Sequence, residues 1–91
     1  MIKTGIEQIS EERVKQIAKY GYTAYHDNGY KNKELLFGAL TYLKKAMWNN
    51  GFNEEETWPF EKQYFNDEGY VENLKKAGAF IAAELDRLNI N

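Results

Sequence analysis

KELLFGALTYLKKAMW, residues 33–48, decides the fold. Leu36, Ala39, Leu40, Leu43, Ala46 and Met47 recur every three or four residues, the spacing that lines one side of an α-helix. Asn32 stands as its cap, Glu34 sits in its first turn, Lys44 and Lys45 near its end suit the helix dipole, and Gly51 follows. A helix of this length runs roughly 24 Å, enough to cross a small domain.

Two further helices flank it. Upstream, Thr4-Gly5-Ile6-Glu7 reads as a capping box, while Ser10 followed by Glu11 and Glu12 offers a second start, with Ile9 stapled to Val14. The expectation is a helix over about 10–20 with Ile6, Ile9, Val14, Ile17 and Ala18 as its apolar side and Gly21 as its stop. Downstream, a third helix is predicted over about 70–88, with Val71, Leu74, Ala77, Gly78, Ile81, Leu85 and Leu88 on one side. Its middle is small (Ala77-Gly78-Ala79, Ala82-Ala83), so another element can approach its backbone closely.

The connections are loops. Residues 21–32 contain the turn chemistry Asp27-Asn28-Gly29 beside Tyr22, Tyr25, His26 and Tyr30. Residues 50–69 hold the only Pro, in Trp58-Pro59-Phe60, and a structureless connection of that length is usually functional. No alternating run exceeds a few residues, so the expected class is all-α: a single domain, 1–91, of three main helices, the second and third antiparallel, with two long aromatic-rich loops closing one end. A short hairpin inside 52–66 is the one departure the pattern leaves room for.

Composition excludes several functions. With 91 residues the chain buries only somewhat more than roughly 60% of its unfolded surface, so its core must come from few, large side chains. The absence of Cys removes disulfides, thiolate metal sites and Cys nucleophiles, and a single His removes a His-rich zinc or copper site. A mean hydropathy of −0.74 and no long apolar run speak against a membrane span, and no signal peptide pattern precedes the first helix, so a cytoplasmic protein is expected. The acidity behind the net charge of −2 is one stretch, Glu54 to Glu72, which argues against a duplex nucleic-acid binder. Many aromatics and an Ala/Gly-rich third helix in so short a chain predict a homo-oligomer, most simply a twofold dimer.

Four constellations carry chemistry. His26-Asp27 can transfer a proton or hydrogen-bond a ligand, with a loop-fixing pair as the equally weighted plain reading. Tyr22, Tyr25, Tyr30, Trp58, Phe60, Tyr64 and Phe65 can sandwich a planar base, although most of them better serve to cap the core. Glu34, Glu84 and Asp86 are similar to the carboxylates of Mg²⁺-dependent all-α nucleotide pyrophosphohydrolases, but Glu34 stands alone and Glu84 and Asp86 lie on different sides of their helix. Arg13, Gln16 and Lys76 can hold an anion, against the plain reading of a surface Arg13 paired with neighbours on the Glu12 side or with Asp86.

The order of these pieces resembles a family of small phage and prophage proteins. Ile9-Ser-Glu-Glu-Arg13-x-x-Gln16-Ile17, Gly21-Tyr22-Thr23-x-x-His26-Asp27, Glu34-Leu35-x-x-Gly38-Ala39, Trp58-Pro59-Phe60 and Asn73-Leu74-x-Lys76 through Leu88 carry the likeness over nearly the whole chain. Tyr22 and Asn28 depart from the family pattern, which has Trp and Asp there. The resemblance implies a phage context rather than a chemistry. By analogy with small phage proteins that soak up nucleotide immune signals, the expected function is non-enzymatic sequestration of a cyclic dinucleotide or ADP-ribose-type signal as a counter-defence factor. The expected contacts are Arg13, Gln16, Tyr22, His26, Asp27, Trp58 and Lys76, with no cofactor and no metal. The alternatives are a protein that blocks a host protein and, second, a Mg²⁺-dependent pyrophosphohydrolase. Glu84 is expected to pair with Lys76 or Arg13.

Overall fold

The computed structural model describes residues 2–49, 51 and 53–90, with the side chains of all of these except Ala24, Tyr25 and Ile90. The ring of Tyr25, one of the loop aromatics singled out above, therefore lies outside the described residues. The order of elements is α1 (Gly5–Tyr20), α2 (Ala24–Asp27), α3 (Glu34–Trp48), two 3₁₀ turns (Glu54–Glu56 and Lys62–Tyr64) and α4 (Tyr70–Ile90). The class is all-α; among the described residues there is no strand, and 52–66 carries the two 3₁₀ turns in place of a hairpin. No helix among the described residues is long and apolar enough to cross a membrane.

The earlier of the two possible starts of α1 wins. The Thr4 side chain accepts from the Glu7 N–H and the Glu7 carboxylate accepts from the Thr4 N–H, both at 3.1 Å, so the capping box adds a turn before Ser10. Gly21, at φ 70°, closes the helix in the left-handed region with its N–H on Gln16 and Ile17 carbonyls. The loop after it contains one helical turn, α2, capped by Thr23 accepting from the His26 N–H. Asn32 does not cap α3. Glu34 reaches back so that its Oε1 accepts from the Asn32 N–H at 2.7 Å, and Lys33 takes the cap position in the left-handed region.

α3 and α4 run antiparallel: Gly38 lies against the Phe80 ring, Lys76 over the Tyr42 ring, and Lys45 3.9 Å from Asp67. Their seam is the core, formed by Leu35, Ala39 and Tyr42 with Ala77, Phe80 and Ala83. Tyr30, Trp58, Phe60 and Phe65 roof it; Tyr42 stacks on Phe65 at 4.8 Å and meets Trp58 edge-on at 5.5 Å. The 50–69 connection is pinned at both ends. Thr41 Oγ1 lies 2.7 Å from Thr57 Oγ1, while buried Asn73 donates to Asp67 at 2.8 Å and accepts from the Glu68 N–H.

The expected inward faces of all three main helices need correction. On α3 Ala39 is buried, together with Leu35 and Tyr42, but Leu36, Leu40, Leu43 and Met47 are exposed. On α1 the buried residues are Glu12, Arg13 and Gln16, whereas Ile6 is 83% and Val14 62% exposed, and Ile17 is exposed too. On α4, Ala77 is buried, but Val71, Leu74, Ile81, Leu85 and Leu88 are exposed, and Asn73, Lys76, Ala79, Phe80, Ala83 and Arg87 are buried instead. The reason is supply. Rings fill the small interior, and α1 meets α4 through Ile9, its Cδ1 only 2.6 Å from where a Cβ on Gly78 would stand, and through the ion pair of Arg13 with Asp86. The small middle of α4 is used as expected, by α1.

Candidate functional site

Arg13 is the hub from which the site is built. Its Nη1 donates to the Tyr22 carbonyl at 2.6 Å, its Nε to Asp86 at 3.2 Å, and its Nη2 lies 3.5 Å from Asp27 Oδ2. One guanidinium thus ties α1 to α4, to the Gly21–Thr23 linker and to α2. Asp27 is 1% exposed, and its other oxygen accepts from His26 Nδ1 at 2.9 Å. A carboxylate only accepts, so Nδ1 carries the proton and Nε2 is the ring's remaining polar atom.

This bracing sets a row of rings. Tyr20 stacks on Tyr22 at 5.3 Å, Tyr22 on His26 at 5.4 Å with planes 20° apart, and His26 meets Tyr30 edge-on at 5.6 Å. Tyr30 in turn touches Phe60, joining the row to the core roof. Burial pushes the Tyr22 and Tyr30 hydroxyls above their usual range, so both stay protonated donors at neutral pH.

The row forms one wall of a cleft of about 980 Å³, a size typical of small-molecule sites. Trp58, Phe60 and Tyr64 add further rings to the lining, and α1 supplies Glu12, Lys15, Gln16 and Lys19. Gln16 is 5% exposed, and its carboxamide has no hydrogen-bond partner among the described residues. Glu12, one turn earlier, is 9% exposed and likewise without a hydrogen-bonded or ion-paired partner among the described residues. Burial raises its carboxyl above the usual range, against the pull of Lys15 and Lys76. Among the described residues the buried side-chain polar atoms without a hydrogen bond are Arg13 Nη2, Asp27 Oδ2 and Glu72 Oε2; the polar atoms of Glu12 and Gln16 are not among them and are therefore open to solvent along the cleft.

The seven expected contacts separate. Gln16, Tyr22, His26, Asp27, Trp58 and Lys76 line the cleft, but Arg13 stands behind it, spent on the fold. The plain pairing with Asp86 is the one found, although Arg13 is buried rather than at the surface. Lys76 is also spent: its Nζ donates to the Asn66 carbonyl at 3.1 Å, pairs with Glu68 and sits over the Tyr42 ring. That pairing holds the Glu68 carboxyl below its usual range. Trp58 gives its Nε1–H to the Glu61 carbonyl and is packed among Tyr42, Phe60, Phe65 and Phe80. The cations with room for an anion are Lys15 and Lys19, neither held in an ion pair among the described residues. Their spacing, i and i+4 directly before the Gly21 stop, was the available signal.

No protein-family model, curated protein or solved structure matches this chain.

The carboxylates set aside for metal chemistry are engaged otherwise. Glu84 pairs with Arg87 on its own helix, at 2.6 and 3.0 Å, which holds its carboxyl below the usual range. Its partner is therefore neither Lys76 nor Arg13, because Arg87 lies one turn away on the same side of α4. Among the described residues no group of three or more His, Asp or Glu is placed to hold a metal ion.

Proposed function

We propose that the cleft binds a small nucleotide-like ligand and holds it without turning it over. The observation that carries this reading is Gln16, a little-exposed residue on the wall of a ring-lined cleft whose carboxamide stays open to solvent and has no hydrogen-bond partner among the described residues. A planar base inserted beside Tyr22 and His26 gains stacking, and each such stack contributes about 1–3 kcal/mol. Lys15 and Lys19 at the rim suit phosphates as point charges. His26 Nε2 and the Tyr22 and Tyr30 hydroxyls suit sugar hydroxyls. Together with the resemblance to small phage proteins, this supports a counter-defence factor that sequesters a cyclic dinucleotide or ADP-ribose-type signal in the host cytoplasm, as a homo-oligomer.

The test is a thermal-shift screen with cyclic di-GMP, cyclic di-AMP and ADP-ribose, followed by chromatography of the recovered ligand. A ligand at a hundredfold its Kd stabilises the fold by about 2.7 kcal/mol, a readily measured rise in Tm. A rise with at least one of the three, and recovery of that ligand intact with and without Mg²⁺, is expected. No rise with any of them overturns the reading, and a cleaved nucleotide replaces it with catalysis.

A further inference from the structure

Glu12 and Gln16 lie one helical turn apart on the same face of α1, which puts their Cβ atoms about 5–6 Å apart. Both line the cleft, both residues are nine-tenths or more buried with their polar atoms open to it, and neither side chain is hydrogen-bonded or ion-paired among the described residues, although Lys15 and Lys76 attract the Glu12 carboxyl. A carboxylate offers only acceptors, so what docks on Glu12 must present donors, while the Gln16 amide supplies a donor and an acceptor. The rings beside them demand that this polar edge belong to a flat group.

We infer that Glu12 and Gln16 read the Watson–Crick edge of a guanine, an inference that rests on the cleft taking a nucleotide-like ligand. The Glu12 oxygens accept from the base N1–H and N2–H₂, and the Gln16 Nε2–H donates to O6. Adenine places a lone pair at N1, facing the carboxylate, and is rejected by repulsion as well as by a lost bond.

Cyclic di-GMP and cyclic di-AMP test this, because they differ only in the bases. Titration calorimetry should give cyclic di-GMP the tighter Kd by about tenfold or more, the range of one good bidentate pair. Glu12→Gln should erase that preference while its Tm without ligand stays equal or rises, since it removes a partly desolvated carboxylate; a merely structural Glu12 would lower Tm and leave the preference. Equal affinity for the two dinucleotides overturns the guanine assignment and leaves nucleotide binding standing. Binding of neither, with ADP-ribose bound, does the same; no binding at all overturns both.

A second, independent observation concerns the opposite side of the molecule. On α3 the exposed residues Leu36, Leu40 and Leu43 each follow a core residue (Leu35, Ala39, Tyr42) by one position, and on α4 Leu74 and Ile81 follow Asn73 and Phe80 likewise. One position is about a third of a turn, and in two antiparallel helices that rotation brings both stripes to the same side of the pair. Positions one before the core on α3 are covered: Gly38 by the Phe80 ring and Thr41 by Thr57. The exposed residues Leu36, Leu40, Leu43, Met47 on α3 and Val71, Leu74, Ile81, Leu85, Leu88 on α4 contain no charge and recur at the three-, four- and seven-residue spacing of a left-handed helix–helix seam, while Gly78, between Leu74 and Ile81, is covered by Ile9 of α1. The molecule is only 19 Å thick and exposes 6075 Å². A compact monomer of this mass exposes about 5,500 Å². The excess is most of the about 800 Å² per partner that a standard interface covers.

We propose that a second copy of this chain covers that face about a twofold axis, making a four-helix bundle of two α3–α4 pairs. Light scattering at tens of micromolar should give twice 10.7 kDa. Leu85→Glu and Leu43→Glu, each helical by circular dichroism, should be monomers, and Val14→Glu on α1 should remain a dimer. A monomeric parent overturns self-association and this interface together. A parent dimer that survives both stripe variants overturns the interface alone.

Discussion

α4 is gripped from two sides by opposite means. Toward α3 it meets rings and aliphatic side chains; toward α1 it meets Glu12, Arg13, Gln16 and the methyl-rich contact of Ile9 on Gly78. The first seam holds the molecule together, because burial of Tyr42, Phe80 and their neighbours removes large apolar surface from water. The second contributes little in that way. Its buried ion pair of Arg13 with Asp27 costs desolvation roughly equal to its attraction, so what it provides is geometry: Tyr22, α2 and His26 stand at fixed positions on the cleft wall.

Phe80→Ala strikes the first seam and should cost the most, about 4 kcal/mol, read as a large fall in the urea midpoint. A loss under about 1 kcal/mol would mean the ring roof does not depend on it. Arg13→Met strikes the second seam and should cost about 3 kcal/mol, since Asp27 is left buried without its cation. Adding Asp27→Asn should recover part of that loss, because no buried charge remains; a double variant as unstable as the sum of the two single ones would contradict the pairing.

Gly78→Ala probes the apolar contact of Ile9 on α4. A new Cβ at 2.6 Å from Ile9 Cδ1 should cost about 1–3 kcal/mol in overpacking, more than the about 1 kcal/mol gained by replacing Gly in a helix. In an Ile9→Ala background the same substitution should become stabilising. Failure of the sign to reverse would separate the two helices there. The smallest effect is Glu12→Gln. Burial raises the Glu12 carboxyl above the usual 4.5, so its contribution is favourable below that value and is lost as pH rises through the raised one. Tm of the parent should therefore fall relative to Glu12→Gln from about pH 4.5 upward, and parallel pH profiles would show that Glu12 is solvated.

Elements were legible in the sequence, faces less so. Thr4, Glu7 and Gly21 mark the ends of α1 because caps act locally, through bonds within four residues. The periodicity of Leu35 to Met47 and of Val71 to Leu88 reveals helices, yet an apolar stripe does not say whether it meets this chain or another. Ile6, Val14 and Ile17 look inward on the same grounds as Ala39 and are left outside, as are Leu36, Leu40, Leu43 and Met47, while Leu35 beside them is buried. In the cleft, His26-Asp27 and Tyr22 were readable because turn chemistry gathers them in one short loop. The pairing of Arg13 with Asp86 was readable as the plain alternative, but the bonds of Arg13 to Asp27 and of Lys76 to Asn66 were not, because these partners lie in other elements brought close only by the fold. Lys15 and Lys19 look like an ordinary solvated helix face until the cleft is seen beside them.

The polar seam exists, on this view, to hold a ring wall that binds an intact nucleotide. Titration calorimetry of cyclic di-GMP against the parent and Tyr22→Ala, with the ligand recovered afterwards, addresses that most directly. Saturable binding to the parent, weakened about tenfold or more in Tyr22→Ala by the loss of one stacking ring, with the ligand recovered whole, is the expected result. Equal affinity in parent and variant, or a hydrolysed ligand, would contradict it.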